Sequence, residues 1–199
     1  MKNSEHLSKI IVHPNDPNTV WVASQGPLWS SGGERGLYKT TDGGKTWNNT
    51  LEIDEWTGVT DLLIDPRNPD VLYCASWQRH RNVASYIGGG PGTSIYKSTD
   101  GGDSWTKINK GLPSSNMGKI GLAISPINPD VVYAAVETER RKGAVYRSAN
   151  AGGSWKKMSE TVSAGTGPHY YQELVASPHK FDKIYLMNVR VLAVSYTHL

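Results

Sequence analysis

Two short phrases alternate along this chain, and their spacing limits its fold more than any other feature. The first is Thr40-Thr41-Asp42-Gly43-Gly44-Lys45-Thr46-Trp47. It returns as Ser98-Thr99-Asp100-Gly101-Gly102-Asp103-Ser104-Trp105, and again as Ser148-Ala149-Asn150-Ala151-Gly152-Gly153-Ser154-Trp155. The second phrase is an apolar residue and a proline, followed by a β-branched and aromatic run. It reads Ile11-Val12-His13-Pro14, then Ile64-Asp65-Pro66, Ile124-Ser125-Pro126 and Ala176-Ser177-Pro178. The four prolines lie 52, 60 and 52 residues apart.

Each repeat reads as four short strands. In the third copy these are Lys119–Ile124, Val131–Val136, Gly143–Arg147 and a strand opening at Trp155. The warrant is β-branched and aromatic content bounded by Pro-Asp or Gly-Gly turns. No segment shows a helical period. The second strand, Val131-Val132-Tyr133-Ala134-Ala135-Val136, is apolar on both faces, as a sheet covered on both sides requires. Composition agrees: 21 Gly and 11 Pro supply turns, and seven Trp and ten Tyr stand against one Phe. Four-stranded sheets at this period point to a propeller. The expected class is all-β: a β-propeller fragment of about three and a half four-stranded antiparallel blades, with Asp hairpins between strands three and four.

The repeated residues explain themselves as structure. Asp42, Asp100 and, without the charge, Asn150 can accept the N–H groups of the hairpin turn. Gly44, Gly102 and Gly152 supply positive φ. Trp47, Trp105 and Trp155 can fill space between blades; burying ~150–250 Å² at ~25 cal/mol/Å² is worth roughly 4–6 kcal/mol gross.

These phrases resemble the Asp-box (BNR) repeats of bacterial sialidases, xyloglucanases, photosystem II assembly-factor propellers and sortilin-type propellers, over about Leu7 to Arg190. Gln25-Gly26-Pro27-Leu28-Trp29, Trp77-Gln78-Arg79-His80-Arg81 and Gly167-Pro168-His169-Tyr170-Tyr171-Gln172-Glu173 look like the sortilin-like propellers of large bacterial exported proteins. Those are often labelled glycosyl hydrolases on the repeats alone. The resemblance implies an exported or surface-located binding or scaffold propeller for a protein or peptide ligand. The alternative is a carbohydrate-binding or glycoside-hydrolase propeller with its active site partly outside this piece. A third reading is an assembly factor that holds a partner protein. Blades are expected over 7–53, 59–110 and 119–160, with an incomplete one over 171–190 and the remaining blades of a parent propeller as partners. The final string, Ala193-Val194-Ser195-Tyr196-Thr197-His198-Leu199, resembles a translated sequencing adapter, so 191–199 is expected to be a non-native tail.

In an up-and-down blade alternate loops share a face. The Asp hairpins and the one-to-two loops are short and nearly constant. The two-to-three loops (Ser24–Arg35, Ser76–Thr93, Glu137–Lys142) and the blade links (Asp54–Gly58, Lys110–Gly118, Glu160–His169) vary in length. A rigid scaffold with variable loops on one face is a layout for binding. The candidates there are Trp29, Arg35, Trp77, Arg79, His80, Arg81, Tyr86, Arg140, Arg141, His169 and Tyr170, since aromatic and Arg side chains make good anchors.

Other chemistries find little support. A net charge of +3 without a long basic run does not argue for nucleic acid. The six histidines have no paired ligand spacing, so neither metal nor cofactor is expected. Gly44-Lys45-Thr46 mimics a P-loop end, but Lys39 stands where the first glycine belongs. Cys74 aligns with Val22 and Ala134 and reads as a small core residue. A glycosidase needs two facing carboxylates; Glu34, Glu52, Asp54, Glu55, Glu139 and Glu173 fall near the variable face, with no pair singled out. No apolar run reaches membrane-spanning length, and Met1–His6 lacks the apolar core of a signal peptide.

Overall fold

The computed structural model describes residues 1–139, 142–161, 172–188 and 190–196. It divides into two compact units, Met1–Lys107 and Ile108–Leu199. In the first, β1 (Leu7–His13), β2 (Asp16–Ser24), β3 (Gly36–Thr40) and β4 (Asn48–Leu51) form one antiparallel four-stranded sheet in chain order. The second sheet contains β5 (Thr57–Asp65) and β6 (Asn68–Gln78). The chain then makes a ribbon of β7 (His80–Arg81) and β8 (Tyr86–Ile87), passes a short β9 (Gly89–Gly90), and returns as β10 (Ile95–Ser98) and β11 (Thr106–Lys107). The order β5-β6-β10-β11 repeats the first blade.

In the second unit β12 (Met117–Gly118) precedes a third four-stranded blade. Its strands are β13 (Ile120–Ile124), β14 (Val132–Glu139), β15 (Lys142–Ser148) and β16 (Lys156–Ser159). The two-to-three loop expected over Glu137–Lys142 is largely strand, because Glu139 pairs with Lys142. A fourth sheet follows, with β17 (Glu173–Ala176), β18 (Lys183–Met187) and β19 (Leu192–Ser195). The start of the final segment forms a strand of this sheet. β19 pairs with β18 from Lys183↔Ser195 to Leu186↔Leu192. Tyr196 is buried, its N–H donates to Asp182 O at 2.9 Å, and its hydroxyl lies 3.1 Å from Ser159 Oγ. The pairing describes the segment's fit in the sheet and does not bear on its origin.

Burial follows from the apolar second strands. Leu72–Trp77 of β6 and Val132–Val136 of β14 are buried throughout. In the first unit Trp21, Ala23, Leu37, Val59, Leu62, Leu72 and Cys74 form one core between its two sheets. In the second, Ala123, Tyr133, Val145, Leu174, Ile184 and Leu186 do the same. Cys74 is a core residue, as expected, and burial pushes its thiol well up. On β1, by contrast, Ile10 and Val12 are 59% and 53% exposed.

The Asp hairpins fix the lower corners. Asp42 accepts the Thr40 hydroxyl at 2.7 Å, the Thr46 N–H at 2.9 Å and the Thr46 hydroxyl at 2.6 Å, while Thr40 Oγ1 accepts the Gly44 N–H at 3.0 Å. Asp100 repeats this with Ser98 and Ser104. Asn150 keeps it too: Oδ1 accepts the Ser154 N–H at 2.9 Å, and Nδ2 donates to Ser154 Oγ at 3.1 Å. The third turn holds Ala151 at φ 52 where the others hold Gly43 and Gly101, a left-handed position that disfavours a Cβ. Gly102, at φ 83, also makes room: a Cβ there would stand 2.7 Å from Trp21 Nε1. Trp21 itself donates to Gly101 O at 2.9 Å, joining the two blades of the first unit.

Hydrogen bonds from these turns hold the Asp42 and Asp100 carboxylates well below their usual range, the Thr46 and Ser104 hydroxyls first among them. A depressed folded pKa contributes stability above the unfolded value, and that contribution is lost as pH falls. Replacing both residues by Asn should leave the fold intact at neutral pH and flatten the loss of thermal stability below about pH 4. Thermal midpoints measured from neutral pH into acid check this; an unchanged acid limb contradicts it. The three turn tryptophans differ in burial. Trp155 is buried and bonded to Ile108 O at 2.7 Å, whereas Trp47 is half-buried. Trp155→Ala should cost roughly 3–5 kcal/mol and Trp47→Ala about 1–2, read from chemical denaturation.

Candidate functional site

In the first unit the two-to-three loops and the blade link meet, and backbone bonds knit them into one block. Gly32 N donates to Glu55 O at 2.8 Å, Arg79 N to Trp56 O at 3.2 Å and Arg81 N to Leu28 O at 3.0 Å. The shared face expected from the repeat is therefore built from residues 25–35, 52–57 and 78–93.

The predicted site residues divide sharply. Arg35 is buried, and its guanidinium is spent on five backbone carbonyls, those of Gln25, Pro27, Ser30, Gly32 and Trp56. Gly26, at φ 68, allows this: a Cβ there would stand 2.2 Å from Arg35 Cγ. Arg79 is buried as well and donates to Gly26 O at 3.0 Å, with its guanidinium 5.3 Å from the Trp77 ring. Burial pushes its pKa down to about 10, so it stays charged at neutral pH. Trp77 is buried and donates to Gly88 O at 2.9 Å. Arg35, Trp77 and Arg79 are thus corrected from ligand contacts to loop anchors. Arg35, Arg79 Nη2 and Trp77 Nε1 meet loop carbonyls that would otherwise lie buried and unpaired, while Arg79 Nε is buried without a partner.

Trp29, His80, Arg81 and Tyr86 are brought together at the surface. Trp29 is 61% exposed and Tyr86 38%. The Arg81 guanidinium lies over both rings, 5.7 Å from the Trp29 centroid and 5.8 Å from that of Tyr86. The ribbon carrying Arg81 and Tyr86 pairs them directly, and Asn82 Oδ1 closes its turn by accepting from Ala84 N, Ser85 N and Ser85 Oγ. His80 stacks edge-on against Trp56, with centroids 4.2 Å apart. Trp56, Val83 and Ile87 complete the surface and were not anticipated. Val83 is fully exposed and Ile87 is 49% exposed. A two-residue strand inside a long loop carries no periodicity that could have revealed the ribbon. Arg140, Arg141, His169 and Tyr170 lie outside the described residues.

The carboxylates considered for hydrolysis are mostly engaged elsewhere. Glu34 accepts the N–H groups of Lys2 and Asn3. Asp54 accepts from Trp56 N and Thr57 Oγ1. Glu139 pairs with Lys142, and Glu173 with Lys119. Among the described residues no hydrogen bond joins two of them. A further carboxyl, Glu137 in the second unit, stands at the end of β14 beside Gly118, where a Cβ would come within 2.4 Å of Oε2. Burial pushes it up to about 7, against the opposing effect of Lys119. Its raised folded value favours the protonated form, so its contribution is full below about 4.5 and is lost as pH rises towards 7. Glu137→Gln should remove that decline and leave the variant more stable than the parent at pH ~8. Parallel melting curves at all pH values would show that Glu137 ionises freely in the fold.

No family model matches the chain. A xyloglucanase of Paenibacillus sp is 26% identical over 148 residues, taking in 66% of this chain and 13% of the relative. Among solved structures, the GH74 xyloglucanase from Xanthomonas campestris has a TM-score of 0.68 at 17% identity, covering 94% of this chain and 27% of that one. YCF48 bound to D1 peptide has a TM-score of 0.54 at 14% identity, covering 100% of this chain and 54% of that one. The chain spans 13% of the curated relative's length. The likeness runs to xyloglucanase propellers, one of the groups the repeat phrases resemble, rather than to the sortilin-like ones that the loop segments suggested. This chain is a run of β-propeller blades, similar in sequence to a xyloglucanase and in fold to the GH74 propellers.

Proposed function

We propose that this chain is part of a carbohydrate-recognising propeller of glycoside-hydrolase type, which takes a polysaccharide across the variable-loop face of its first unit. The exposed stack of Trp29, Arg81 and Tyr86 carries the reading. Turn and core residues shared by all Asp-repeat propellers would by themselves yield part of the similarity to xyloglucanases, so the surface has to support the function. Trp29 offers a broad apolar face in a rigid setting, with donors beside it, the combination that holds a sugar ring and its hydroxyls. Such a polymer is too large to enter a cell, which supports an exported protein. Cleavage, if the whole protein performs it, calls for a pair of facing carboxylates about 5–10 Å apart.

The second reading is a peptide-binding propeller of sortilin-like type. It is supported by the fold likeness to YCF48 bound to D1 peptide and by the apolar ribbon side chains Val83 and Ile87.

Isothermal titration with xyloglucan oligosaccharides separates the two. The chain should bind them, and Trp29→Ala should weaken binding at least about tenfold without moving the melting temperature, because Trp29 contributes mostly exposed area. If no glycan binds, and a peptide library yields ligands that protect the Arg81 ribbon, the peptide reading replaces the first.

A further inference from the structure

Arg81 is held in place, yet among the described residues no anion pairs with it. The other described arginines of the first unit are committed. Arg67 pairs with Asp65, and Arg35 and Arg79 donate to loop carbonyls. Arg81 is fixed at both ends: its N–H is bound to Leu28 O, and its guanidinium is flanked by Trp29 and Tyr86. Among the described residues no carboxylate forms an ion pair with it.

Both signs of charge occur in the loop block, but Arg81 itself faces no carboxylate within ion-pair distance among the described residues. Arg79, charged and buried, precedes it by two residues, and Arg35 lies near enough to disfavour the charge on Arg79. Asp54 and Glu5 act on Arg35 from its other side; they form no pair with Arg81. The guanidinium lies within cation–π range of both rings, an interaction that uses its charge but none of its N–H groups. The edge of a guanidinium matches a carboxylate through two parallel hydrogen bonds, whereas a neutral hydroxyl can take only one. The rings also hold the side chain in advance, so little rotamer freedom remains to be lost on binding.

We propose that the Trp29–Arg81–Tyr86 cluster is a subsite for an acidic sugar residue, with the carboxylate of a uronic acid on the Arg81 edge and its ring against Trp29. This rests on the carbohydrate reading above and narrows it from neutral to carboxylate-bearing glycans. The ribbon selects for charge, and Trp29 supplies the contact area common to both.

The test is titration of the chain with three probes: a galacturonate oligosaccharide, the same oligosaccharide with its carboxyls reduced to alcohols, and a glutamate-rich peptide. The galacturonate form should bind at least about tenfold more tightly than the reduced form, with an advantage that shrinks as salt is raised. Arg81→Gln should abolish that difference, weakening the galacturonate form far more than the reduced form, while Trp29→Ala should weaken both alike. The ribbon turn is closed by Asn82, so Arg81→Gln should keep the parent melting temperature. Should that variant unfold, Arg81→Lys serves instead, retaining charge but losing the two-pronged match and most of the preference. Equal affinity for the two oligosaccharides overturns the acidic subsite while sparing the carbohydrate reading. Binding of neither overturns both. Peptide binding that depends on Arg81 and exceeds that of galacturonate assigns the cluster to an acidic peptide.

Discussion

A hydroxyl, a carboxamide or carboxylate, and two consecutive backbone sites at positive φ make the corner on which each of the three four-stranded blades turns. Thr40, Ser98 and Ser148 each bind both the following Asp or Asn and the N–H of the glycine four residues on. The corner fixes where strand three ends and strand four begins, and so the register of the hairpin. It also presents carbonyls at a defined place. Trp21 uses one of them, Gly101 O, to join the two blades of the first unit. In the second unit Tyr133, at the corresponding place in its own second strand, reaches Asp182 together with Arg147. Blade stacking thus depends on a short polar motif as much as on the apolar cores it brings together.

The opposite ends of the strands are organised by a different device. Loops there are long and irregular, and their carbonyls have no ladder partners. Buried guanidinium groups supply the missing donors: Arg35 satisfies five carbonyls across two loops, and Arg79 a sixth. An arginine is suited to this because its donors are many and its plane is rigid. The result is a loop surface stiff enough to hold Trp29, Arg81 and Tyr86 in contact without a strand beneath them. Rigidity at a surface of exposed rings lowers the ordering cost of any ligand that lands there.

The candidate site was legible as a place more than as a set of residues. Alternation of constant and variable loops located the face, and it named Trp29, Arg81 and Tyr86 among its members. The same reasoning could not separate them from Arg35, Trp77 and Arg79, because residue type is the same for an anchor turned inward and a contact turned outward. Glu137 escaped notice for a related reason. Only its packing beside Gly118 and Lys119 makes it an unusual carboxyl.

By itself the sequence determined the class of fold. Period, turn chemistry and apolar second strands are local properties, repeated three and four times, and repetition makes each one legible against the rest. It also determined that Asn150 could replace Asp in its turn, since a carboxamide oxygen accepts the same N–H groups. The tertiary structure alone decided what occurs once: the ribbon at His80–Ile87, the five carbonyls around Arg35, the placement of Arg81 between Trp29 and Tyr86 and the strand formed by Leu192–Ser195. These depend on contacts between segments far apart in the chain, and such contacts follow from the three-dimensional placement of loops that no periodicity governs.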